Sequence, residues 1–94
     1  MKLSDIKHDT RRVMLTAKVV EKREPREVNT RYGATMVCEA VIEDETGTMI
    51  LVLWGDEVEK VSEGDTVKIE NGYVREWNGS LQLNVGKFGK LNVV

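Results

Sequence analysis

The chain holds a single cysteine, Cys38, so no internal disulfide framework can form, and a reducing compartment is the simple expectation. With one histidine, His8, beside that one thiol, a conventional zinc site cannot be assembled. No metal or cofactor is expected. No apolar run approaches the ~20 residues a membrane helix needs, and no segment reads as a secretion signal. There is no plausible Ser/His/Asp or Cys/His constellation, and no glycine-rich phosphate loop ahead of a helix, so an enzyme is not expected. The one proline, Pro25, marks a loop and leaves the rest of the chain free of breakers. Ninety-four residues read as one domain with one modest core, its barrel predicted over residues 13–91 behind an N-terminal extension of residues 1–12.

Charge is scarce only in the sum. The net charge is −2, but residues 11–35 hold seven basic groups against three acidic ones. Residues 36–65 hold nine acidic groups and one basic, and residues 66–94 hold four basic and two acidic. If these segments occupy different faces, the molecule is polarised. The acidic run Glu39, Glu43, Asp44 and Glu45 alternates along a strand and turn, the pattern of a solvated face rather than of a metal site.

Hydrophobic periodicity predicts strands. Val13, Leu15, Ala17 and Val19 share one face of a first strand, and Thr16 and Lys18 share the other. Arg23–Gly33 reads as a polar loop. Thr35–Glu43 and Thr48–Trp54, joined across Asp44-Glu45-Thr46-Gly47, read as a hairpin. Asp56–Val61 is a short helical insert that Asp56 could cap. Thr66–Arg75 is a fourth strand, and Asn78-Gly79 leads by a tight turn into a fifth, where Leu81, Leu83 and Val85 alternate. Parallel βαβ architecture needs longer crossovers. Five antiparallel strands with a helical insert between the third and fourth fit an all-β, Greek-key OB-type barrel. An SH3-like barrel or a five-stranded sandwich would not favour an insert at that place.

The few aromatics raise the question of function. If Met49, Leu51 and Leu53 face inward, Trp54 faces outward beside Ile50 and Val52. Val67 and Ile69 would be core. A bulge at Asn71-Gly72 would reverse the alternation, turning Val74 inward and Tyr73, Arg75 and Trp77 outward together. Arg23, Arg26 and Arg31 could then flank the same groove. On pattern alone two readings stay open: a core of aromatics, or a surface platform that stacks on bases while basic groups hold phosphates. Tyr32 is either a further stacking group or a half-buried anchor, Phe88 a structural residue or a lid, and Cys38 a small buried residue.

The segments "EDETGTMILVLWGDE" (43–57), "EGDTVKIENGYVRE" (63–76) and "GSLQLNVGKFGKL" (79–91), with "EPREVNTRYG" (24–33), resemble the OB-fold domains of archaeal replication protein A and of archaeal and SOSS-type single-stranded DNA-binding proteins. The resemblance covers Val13 to Leu91. It implies that Trp54, Tyr73 and Trp77 stack on bases and that Arg26 and Arg31 touch the backbone. Arg75, Lys18 and Lys87 complete the expected phosphate contacts. The expected partner is single-stranded DNA, bound with little sequence preference in replication, recombination or repair, in a cytoplasmic, nucleoid-associated protein. The acidic or glycine-rich tail of the simple single-domain members is missing after Leu91. The expectation is therefore one OB unit of a larger protein or a member that works by association, with Ile50 and Val52 as a bare aliphatic contact. An RNA-binding OB domain and a protein-interaction OB module remain the alternatives.

Overall fold

The first strand, β1 (Arg11–Lys22), buries Val13, Leu15, Ala17 and Val19 and exposes the residues between them, as its alternation requires. In a computed structural model, which describes residues 1–94, six further strands follow. They are β2 (Arg26–Thr30), β3 (Gly33–Asp44), β4 (Gly47–Trp54), β5 (Thr66–Trp77), β6 (Ser80–Asn84) and β7 (Lys90–Val93). A five-residue helix, α1 (Asp56–Lys60), lies between β4 and β5. β1 pairs with β3 through Lys18–Lys22 and with β5 through Arg11–Lys18, so one long strand serves two neighbours. β3–β4 and β5–β6 are antiparallel hairpins. The barrel closes by a short parallel pairing of Ile50–Val52 with Gln82–Asn84, where an all-antiparallel barrel was expected. Five strands in the cyclic order β1–β3–β4–β6–β5, with the helix between β4 and β5, the third and fourth of them along the chain, make the OB barrel.

The core is aliphatic. Ile42, Leu51, Leu53, Ile69 and Leu83 are its largest fully buried side chains, and no aromatic is among the buried residues. Both ends of the β3–β4 hairpin are covered. At the turn end, a single 3₁₀ turn (Leu3–Asp5) puts Leu3 and, just after it, Ile6 into the core, so the residues ahead of β1 complete the barrel. The Leu3 N–H donates to Asp44 Oδ2 at 2.8 Å and the Ser4 N–H to Thr46 Oγ1 at 3.0 Å. At the other end α1 contributes Val58, and Val61 follows it inward. Gly55, not Asp56, holds the cap position of α1, and Asp56 is its first residue.

Two strands lie where none was expected. β2 pairs with β3 from Arg26↔Val37 to Thr30↔Gly33, so the polar stretch after Pro25 is an edge strand on a projecting hairpin. An edge strand with only Val28 half-buried carries no alternation to read. β7 pairs with β5 and buries only Leu91. Its four residues are held by the partner's backbone, which no pattern within the segment announces.

Candidate nucleic-acid interface

The outer face of β3, β4, β6 and β5 is shaped by two local events. β5 carries the bulge: between Ile69 and Gly72 it spends three residues where β1 spends two, with Asn71 at φ 55°. Gly72 is therefore buried, Val74 packs against the core, and Tyr73, Arg75 and Trp77 point outward. The β5–β6 turn then places Asn78 and Gly79 at φ 50° and 79°, the two positive values a type I′ turn needs. On β4, Leu51 and Leu53 face inward and Trp54 outward.

A cleft of about 450 Å³ results, with Trp54 and Trp77 on its walls and Val37 and Val52 beneath them. Val37 and Val52 are 4% and 5% exposed yet lie outside the barrel's core cluster. They are the covered apolar floor of the cleft. Val52 is thus not the bare aliphatic expected of it, and Ile50 is half-buried. Arg26 and Asn29 enter from the β2 hairpin, and Arg75 and Gln82, paired across β5 and β6, from the opposite side. Neither Arg26 nor Arg75 is in an ion pair, whereas Arg23 is held by Glu21 and Glu39. Glu39 and Glu76 also border the cleft.

Trp54 is fixed in orientation. Its indole N–H donates to Oδ1 of Asn84 at 3.2 Å, and its backbone N–H donates to Glu57 Oε1 at 3.0 Å. Asn84 is 3% exposed, and its Nδ2 has no acceptor. Burial pushes the Glu57 carboxyl up, against the Trp54 N–H and Lys60, which favour the charged form. Trp54 as a residue remains 37% exposed, and Trp77, at the hairpin, is 63% exposed.

Tyr73 stands apart from this pair. It is 40% exposed and lies over Gly86, where a Cβ would come within 2.8 Å of its ring, so a side chain at residue 86 would displace the ring. Tyr73 lines a second hollow, of about 560 Å³, with His8, Arg11, Arg12 and Asn71. Asn84, its direct partner across β5 and β6, lies between it and Trp54. Lys87 follows Gly86, with its Nζ 5.9 Å from the Phe88 ring centroid, and the Phe88 carbonyl accepts from Asn71 Nδ2. Phe88 is 82% exposed, so it is no core residue. Arg31 sits in the exposed β2–β3 turn beside Tyr32, which at 90% exposure is no half-buried anchor. Lys18 pairs with Glu43 and Thr66, six residues along β3 from Val37, or about 20 Å by strand rise. Cys38 is buried, as expected, and burial raises its thiol pKa. The sequence reading missed Val37 and Asn84, whose types mark no ligand site, and Arg11-Arg12, a basic pair that was visible but unassigned.

The barrel, with its cleft across the outer face of β3, β4, β6 and β5, is an OB-fold domain. The family model described as single-stranded DNA binding protein Ssb-like, OB fold, matches residues 6–93, and the chain belongs to that family. It is 37% identical over 90 residues to single-stranded DNA binding protein Ssb of Saccharolobus solfataricus, and 38% identical over 96 residues to replication factor A of Methanothermobacter thermautotrophicus. Those alignments cover 96% of this chain but 61% and 12% of the two relatives. The solution structure of an OB domain from Thermoplasma acidophilum superposes with a TM-score of 0.87 at 26% identity, over 100% of this chain and 85% of that one. No helix is long and apolar enough to cross a membrane.

Proposed function

We propose that this OB unit holds single-stranded DNA, without catalysing a reaction on it, in replication, recombination or repair. The observation that carries the reading is the cleft. Trp54 and Trp77 offer ring faces across an apolar floor, and Arg26 and Arg75, free of carboxylate partners, stand beside them. Bases stack on the rings and phosphates meet the guanidinium groups. Stacking uses no base edge, so sequence preference is weak. Two or three stacked bases at about 1–3 kcal/mol each do not reach micromolar affinity alone once ordering costs are subtracted; the phosphate contacts supply the remainder, which makes the affinity salt-dependent. Family membership supports the same ligand.

Titration with oligo-dT, read by tryptophan fluorescence, tests it. The expected result is strong quenching, weak response to duplex DNA, and loss of binding with salt. Trp54→Ala removes its share of the quenching, leaving that of Trp77, and costs about 1–3 kcal/mol of affinity. A stronger response to oligo-U replaces DNA by RNA as the ligand. Absence of binding to either strand overturns the reading.

A further inference from the structure

The second hollow has a structural cause and a charge. Two opposed irregularities form it: the β5 bulge at Asn71 and a second register shift in β1 between Arg11 and Val13, where Arg12 sits at φ 53°. Two bulges on adjacent strands turn the ladder away from the barrel at this corner and re-aim the side chains on it. Arg11 and Arg12 line the hollow, Tyr73 forms one wall, and Asp9 is the one carboxylate among the lining residues. Neither arginine is in an ion pair. Lys87 is not among the lining residues; it follows Gly86, whose backbone lies against the Tyr73 ring.

We propose that this hollow is a second phosphate-binding station for the same strand, so that DNA leaving the Trp54–Trp77 cleft passes over Tyr73 and ends its contact on Arg11 and Arg12. The inference rests on the proposed function. Continuity supports one track: Tyr73 pairs with Asn84, which holds Trp54, on one side and with Arg11 on the other. The charge suits phosphate, and the register shift at Arg12 accompanies its placement among the lining residues. A strand short enough to fill the cleft does not reach the station; a longer one does. Footprints of OB folds, about 4–16 nucleotides, leave room for both regimes.

The test compares oligo-dT of about four and about ten nucleotides on the wild type and on R11Q/R12Q, each across a salt series. The expected result is unchanged affinity for the short strand. For the long strand the affinity falls and the salt slope becomes shallower by about 1.4, at about 0.7 for each phosphate no longer neutralised. R11K/R12K, which keeps the charge, restores the slope. If R11Q/R12Q binds the long strand like the wild type, or weakens both strands equally, the second station is overturned while the cleft stands. If the wild type binds neither strand, the proposed function fails and the station with it.

Discussion

Asn84 converts Trp54 from a mobile side chain into a fixed plane, and it does so at a cost. Its Oδ1 takes the indole N–H, but its buried Nδ2 has no partner. A buried amide N–H left unsatisfied costs about 1–3 kcal/mol, more than one ordinary hydrogen bond returns. Asn84 therefore orients Trp54 at some expense of stability. Asn84→Leu keeps the shape and removes the orphan donor. Its thermal stability should equal or exceed the wild type's, while affinity for oligo-dT falls several-fold, because Trp54 must then be ordered on binding. Thermal melts and the fluorescence titration on one preparation check both halves. A variant that loses stability and keeps its affinity would show that Asn84 serves only the fold.

At the scale of elements, the β3–β4 turn shows how a polar cluster holds the N-terminal turn in place. Burial pushes the Asp44 carboxyl up, but hydrogen bonds from the Thr46 hydroxyl and from the N–H groups of Leu3, Thr46 and Gly47 outweigh it and bring it from 3.8 to about 2. The folded value lies below the unfolded one, so this stabilisation is complete above pH 3.8 and disappears as the pH falls toward about 2. Asp44→Asn should lower the melting temperature at neutral pH, with the difference from wild type narrowing across that window. A constant difference down to pH 2 would place the effect elsewhere. The same elements mark what the sequence could say. Strands with an inward aliphatic face, β1, β3, β4 and β6, were readable from periodicity. The β5 bulge was readable from Asn71-Gly72 because an Asn at positive φ followed by a glycine is a local signal. β2 and β7 were not, because each depends on a neighbour's backbone rather than on a buried face. The cleft's aromatics were placed by parity and by family resemblance. Val52 was placed on that face by parity, though not as covered; Val37 and the Trp54 anchor Asn84 were hidden because they take their roles from cross-strand pairing.

For the whole molecule, a net charge of −2 argues against an anionic ligand only if charge acts over the full width of the barrel. It does not. The acidic β3–β4 turn and Trp54 stand at opposite ends of β4, which over Gly47–Trp54 spans about 24 Å at about 3.4 Å per residue. The screening length is about 10 Å at 0.1 M salt and about 30 Å at 0.01 M. On the proposed reading, a strand in the cleft would sense Arg26 and Arg75 at physiological salt and Glu43 and Glu45 only in dilute buffer. Glu43→Gln with Glu45→Gln brings the formal charge from −2 to 0. This pair should strengthen oligo-dT binding near 0.01 M salt and leave it unchanged near 0.15 M. Arg26→Gln with Arg75→Gln should weaken binding at both, with a salt slope shallower by about 1.4. Fluorescence titrations of the two double variants across that range separate the two kinds of charge. Equal effects of the acidic pair at high and low salt would mean that the turn lies on the strand's path, and that the cleft is not where the phosphates run.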